Sequence, residues 1–169
     1  MSADLVTWLR AALDEDERVA RAAITEPFPA YRGPDARPGP PPGVWETPHD
    51  DPVVSSIDMS IYDEGGHSEA HAAHIARWDP ARVLAEIAAK RAIIDEVGRW
   101  QHDYISEDAW YSCAQAVDSQ AGEPGSGCLD DSRAGKGCDC GLDQRRARIL
   151  GPLAGVYRDR PGFDPSWLD

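Results

Sequence analysis

Apolar residues return at three- and four-residue intervals near the start of the chain: Leu5, Trp8, Leu9, Ala12, Leu13, Val19, Ala20 and Ala23. Asp14, Glu15, Asp16, Glu17 and Arg18 crowd the positions between them. The pattern predicts an amphipathic helix over 3–24 with an acidic outer face. A second stripe, Val83, Leu84, Ile87, Ala88, Arg91, Ile94 and Val97, predicts a helix over 79–97. Asp79 suits its N-cap and Pro80 its first helical position. A third helix is expected over 143–157, with Ile149, Leu150, Leu153, Ala154 and Tyr157 inward and Pro152 bending or dividing it. Helical spacing also resumes at Ser68, where His71, His74, Ile75 and Trp78 share a side. Trp100, Tyr104, Ala109, Trp110, Tyr111 and Ala114 suggest a less regular helical stretch to about Val117.

Alternation replaces this periodicity in the first half of the chain. In 53–62, Ile57, Met59 and Ile61 alternate with Asp58, Ser60 and Tyr62, as in a half-buried strand. With Gly43–Thr47 as its partner, a β-hairpin is expected over 43–62. The fold class predicted is therefore α+β and helix-dominated: three main helices, a small β-hairpin and a long Gly/Cys-rich loop. Trp8, Leu9, Leu13, Trp78, Leu84, Ile87, Ile94, Leu150 and Leu153 are the expected core. Phe163 and Trp167, in an apolar tail, are expected to pack back onto the helices.

Two stretches have neither period. Nine of the fourteen prolines fall in 26–52, which reads as a stiff connector or, alternatively, a ligand for an aromatic groove. In 118–141 six glycines sit among Ser and Asp, too long a loop to go unanchored in a compact domain. One domain over 1–169 is the expectation from length. Leu, Ile, Val and Phe make up only 29 of 169 residues, so poorly ordered stretches are expected between the helices.

A net charge of −13 argues against binding through bulk attraction to nucleic-acid phosphates or to anionic lipid. No apolar run is long enough to span a bilayer, and no secretory signal is visible. The candidate chemistry lies in the cysteines. Cys113, Cys128, Cys138 and Cys140 can anchor the loop as a four-thiolate structural zinc site. Free or redox-labile thiols are the competing reading, and disulfides a third. His102, eleven residues before Cys113, can replace one cysteine as ligand. His67, His71 and His74 lie at metal-capable helical spacing but lack a paired general base, and a solvated helix start explains them as well. Asp14–Glu17 can imitate a row of phosphates or be a solvated face. Arg145, Arg146 and Arg148 are expected to balance acids such as Asp139 and Asp143. No phosphate-binding loop, dinucleotide fingerprint or nucleophile elbow is present.

Three blocks carry a resemblance. They are Asp4–Val6 through Leu13–Glu17 with Ala20–Ala23; His74–Glu86 with Lys90-Arg91; and Leu150 through Tyr157–Phe163 with Trp167. Together they resemble a family of small uncharacterised proteins of actinobacteria and their phages, a domain of unknown function. The resemblance implies a cytoplasmic, single-domain protein and no established activity. The function expected is that of a non-enzymatic accessory or regulatory protein acting through contact with an unidentified protein partner. No direct nucleic-acid or membrane contact is expected. The alternatives are an acidic nucleic-acid-mimic regulator and a metal-dependent hydrolase using His67, His71 and His74.

Overall fold

The computed structural model describes residues 3–25, 43–45, 69–118 and 120–168. Four α-helices fall in these segments: α1 (Ala3–Thr25), α2 (Glu69–Arg77), α3 (Pro80–Arg99) and α4 (Leu142–Gly155). Two 3-10 turns, Ala109–Tyr111 and Pro165–Leu168, complete the elements. No described helix is long and apolar enough to cross a membrane. The chain divides into two compact units, Met1–Arg10 with Ala92–Asp169, and Ala11–Arg91.

The α+β expectation is corrected: the described residues are helix-dominated and contain no strand. Of the hairpin expected over 43–62, only Gly43–Trp45 lies within them, and its backbone is engaged elsewhere. Gly43 turns at φ +83°, and its carbonyl accepts the Ala81 N–H at 3.0 Å. The Trp45 N–H reaches the Asp79 carboxylate at 3.4 Å. A segment whose donors and acceptors close the end of a helix cannot also offer them to a strand partner. The rest of the proline-rich connector lies outside the described residues.

In the unit Ala11–Arg91, Asp79 caps α3 as its sequence context predicts. Its Oδ1 accepts the Arg82 N–H at 2.7 Å, three residues on, while Pro80 supplies the first helical position without an orphan donor. Leu13, Ala20, Ala72 and Ile87 are buried here. Trp78, expected in the core, is 43% exposed, and the Arg82 guanidinium lies over its ring at 4.4 Å. Its amphipathic ring is covered by a cation in place of apolar packing. The acidic run of α1 is paired: Asp14 and Glu17 both hold Arg91 at 2.5 Å, and Glu15 and Glu17 pair with Arg18 and Arg21.

In the other unit, Leu5, Leu9, Ile94, Val97 and Leu150 are buried, Leu150 completely. Trp8 of α1 is half-buried in an aromatic cluster with Tyr157, Phe163 and Trp167, at ring separations of 6.4, 5.7 and 5.0 Å. Its indole N–H donates to the Pro161 carbonyl at 3.0 Å. The tail thus packs back through these rings, as expected. Gly151 permits it: a Cβ there would meet the Trp167 carbonyl oxygen at 2.3 Å. α4 continues through Pro152 and is not divided. The helical stretch expected up to Val117 is reduced to the single turn Ala109–Tyr111; beyond Arg99 the chain winds instead around the cysteines.

Two measurements check this arrangement. Leu150→Ala should cost about 2–5 kcal/mol of stability in urea denaturation, and Trp78→Ala less than about 1.5 kcal/mol, because only the first leaves a buried cavity. The Arg91 guanidinium, through its hydrogen bond, holds the Glu17 carboxyl below its ordinary 4.5. A lowered folded-state value stabilises at pH above 4.5 and is lost as pH falls through the depressed value. Arg91→Gln should therefore be less stable than wild type at pH 7, and the gap should narrow at acid pH. An equal gap at both pH values would contradict the pairing.

Candidate metal centre

The loop between α3 and α4 folds by backbone hydrogen bonding around two sulfurs. The Cys113 N–H donates to the Asp103 carbonyl at 2.8 Å, closing one turn of chain. The N–H groups of Gly127 and Gly135 donate to Ala116 and Ala114 carbonyls at 3.0 and 2.8 Å. Gly125, at φ +85°, cannot carry a side chain: a Cβ would lie 2.3 Å from the Gly135 nitrogen. The glycines therefore serve close approach of backbone to backbone. Arg146 fixes the end of α3 by donating to the carbonyls of Val97 and Trp100, which sets the place of His102.

These turns bring together His102, Cys113, Cys138 and Cys140, whose ligand atoms all lie within 4.8 Å of one another. His102 Nδ1 is 3.5 Å from Cys113 Sγ and 3.6 Å from Cys140 Sγ. The Cys138 and Cys140 sulfurs are 3.6 Å apart. Three of the four cysteines singled out in the sequence are in this group; Cys128 is not. It is buried, with its sulfur facing the Asp130 carbonyl at 4.0 Å. His102, with its ring half-buried, stands in the fourth place. The signal for it in the sequence was the C-x-C pair itself, which needs two further ligands from elsewhere, and a histidine just past the end of a helix.

The surroundings of the sulfurs are polar in one sense. Cys113 Sγ is approached by the backbone N–H groups of Gln115, Asp139 and Cys140, and Cys138 Sγ by those of Leu142 and Asp143. Amides aimed at sulfur favour thiolate. At Cys113 burial still prevails and pushes the thiol up to about 11. At Cys138 burial also opposes ionisation, but the amides with the neighbouring thiols of Cys140 and Cys113 outweigh it and hold the group below its ordinary value. Burial lowers His102, partly countered by the Asp143 carboxylate 3.8 Å from Nε2. A neutral imidazole offering Nδ1 inward, with a carboxylate beyond Nε2, has the form of a metal-ligating histidine and its supporting partner.

Asp139, between the two cysteines, staples the loop. It accepts the Ala114 N–H at 3.0 Å and pairs with Arg133 at 2.6 Å. These bonds, with that of the Cys113 side chain, hold its carboxyl down to about 2. Arg133 thus takes the place expected for Arg145, Arg146 or Arg148. Of those three, Arg145 donates to the Cys140 carbonyl and Arg146 approaches Asp143 at 3.7 Å.

His71 and His74 are exposed on α2, and neither joins a metal-capable group among the described residues; His67 lies outside them. His74 packs against the Trp78 ring. A concavity of about 500 Å³ between α4 and the C-terminal turn is lined by Gln144, Ala147, Arg148, Pro152, Trp167 and Leu168.

No curated protein and no solved structure matches the chain. A family model does, over residues 2–169, and on that match the chain belongs to the family of unknown function DUF6221.

Proposed function

We propose that the protein is a non-enzymatic accessory or regulatory protein whose loop is built on a structural zinc held by His102, Cys113, Cys138 and Cys140. The observation that carries this reading is the set of distances. Zinc–sulfur bonds of about 2.3 Å and zinc–nitrogen bonds of about 2.0 Å imply tetrahedral edges of roughly 3.8 Å between sulfurs and roughly 3.6 Å between nitrogen and sulfur. The separations of 3.5, 3.6 and 3.6 Å agree with those edges. Hard oxygen-seeking cations are disfavoured by three sulfurs, and a disulfide needs sulfurs at about 2.05 Å.

Four protein ligands close the coordination sphere and leave no position for water or substrate, which is the mark of a structural site. Zinc also answers the shortage of large aliphatic side chains in the loop, since binding energy from the metal becomes folding energy. A module stabilised in this way offers a surface, which is what supports action by contact with a protein partner.

The test is metal content per chain in protein purified reduced and without chelator. Wild type should hold about one zinc, as should Cys128→Ser and His102→Cys, while Cys138→Ser and His102→Ala should hold close to none. Chelation should change the near-ultraviolet circular dichroism of the loop aromatics and spare most of the helical signal. Metal-free wild type, or loss in Cys128→Ser with retention in His102→Ala, would sink the assignment.

A further inference from the structure

The outer side of the cysteine loop is apolar. Trp110 is 53% exposed, Tyr111 71% and Leu129 64%, and Tyr104, Ile105 and Val117 are exposed beside them. Their backbones are tied together. The Leu129 N–H donates to the Ala109 carbonyl at 3.1 Å, and the Ile105 N–H to the Ser112 hydroxyl at 2.9 Å. The Tyr104 ring lies against Gly127, where a Cβ would come within 2.9 Å of it, and Gly127 is bonded to Ala116. These six exposed side chains therefore stand on backbone stretches that are tied to one another. The 3-10 turn that carries Trp110 and Tyr111 buries none of its residues. Clustered exposed apolar side chains mark sites where partners dock, and Trp and Tyr are among the residues that most often anchor them.

The acids of the loop fall into two groups. Asp130, Asp139 and Asp143 have cationic neighbours in Arg133 and Arg146. Asp103, Glu107, Asp108 and Asp131, which flank the aromatic face in the chain, are exposed and form no ion pair among the described residues. Asp108 precedes the 3-10 turn, yet its carboxylate makes no capping hydrogen bond. Arg133 is committed inward, to Asp130, Asp139 and the Trp110 carbonyl at 2.5 Å.

We infer that the face carrying Tyr104, Ile105, Trp110, Tyr111, Val117 and Leu129 docks a protein segment that presents apolar side chains flanked by lysine or arginine. The aromatic anchors supply the contact area, and the unpaired carboxylates select and steer the cationic flanks. The same carboxylates repel nucleic acid and anionic lipid. This docking role deepens the accessory reading and rests on it, but the face itself is defined by residues that ligate nothing.

The full-length protein tests it with two fluorescein-labelled synthetic peptides. One carries leucines on one helical face flanked by lysines, and the other has every lysine replaced by glutamate. Fluorescence anisotropy should show binding of the lysine peptide alone, weakening as salt rises. Trp110→Ser/Leu129→Ser should weaken it by roughly ten-fold or more. Glu107→Gln/Asp108→Asn should weaken it by about two- to five-fold, and Asp159→Asn/Glu96→Gln, an equal change of charge elsewhere, should leave it as in wild type. Zinc is measured on the same samples. Zinc-loaded wild type that ignores the lysine peptide, or takes both peptides alike, overturns the docking face while the metal assignment stands. So does equal weakening by the two charge variants, which would reduce binding to net charge. Patch-dependent binding by protein without zinc would support the docking face and remove the metal.

Discussion

Backbone amides pointed at sulfur organise the region between Trp100 and Gly141. Few large aliphatic side chains are available there, so a hydrophobic core cannot hold it. Three amides converge on Cys113 and two on Cys138. Asp139, lying between the ligands of the C-x-C pair, carries its carboxylate back to the Ala114 amide and across to Arg133. The bonds from Asp139 and Cys140 to Cys113 and from Ala114 to Asp139 tie together stretches distant in sequence, at the cost of the conformational freedom that glycine-rich segments have in abundance. The arrangement is worth that cost only if the sulfurs reward it. Protonated thiols are weak acceptors, whereas thiolates bound to a divalent cation are strong ones. The amide pattern and the close spacing of the four donors are both compatible with a bound metal.

The helices were legible because burial and period coincide in them. In α1, Leu5, Leu9 and Leu13 are spaced by four and all three are buried. At α3, Asp79-Pro80 states the start of the helix in two residues, one by capping and the other by lacking a donor. Where the reading failed, the same residue types satisfied two patterns. Aromatics between Trp100 and Tyr111 lie near helical spacing, but they belong to a loop on which Tyr104, Trp110 and Tyr111 are exposed. Alternation after Val53 suggested a hairpin with Gly43–Thr47, yet the described part of that partner, Gly43–Trp45, is held to α3 by Asp79 and Ala81. Trp78 sits at a core-like position by spacing and is drawn outward by Arg82. Periodicity reports a face, and it does not report whether that face meets a protein interior, a cation or a partner.

The metal centre was legible in part for a related reason. Counting cysteines gives four, and four is the coordination number of zinc, so the count favoured a ligand set made of cysteine, with His102 as the alternative to one of them. Which four donors meet is decided by where the chain turns. Gly125 and Gly127 bring Cys128 into a tight backbone packing that turns its sulfur toward Asp130. Arg146, by tying down the carbonyls at the end of α3, leaves His102 at the centre. Neither event has a signature in residue spacing. Both depend on hydrogen bonds between segments separated by tens of residues.

The same geometry links the interior of the loop to its exterior. Cys113 is placed by its amide bond to Asp103, and the residues between them form the arch that presents Tyr104, Ile105, Trp110 and Tyr111. Leu129 joins that face through Ala109, on the same arch. Exposed Trp and Tyr on an unsupported loop would collapse onto whatever apolar surface lay nearest, since burial of such rings is favourable and the loop is free to move. The four-ligand zinc centre we propose would remove that freedom beneath them. Metal chemistry of the catalytic kind needs an open coordination position, and four protein ligands on the proposed ion would leave none. What the proposed centre would supply is a rigid base, and a rigid base would keep the exposed aromatic side chains in water and open to the docking we infer.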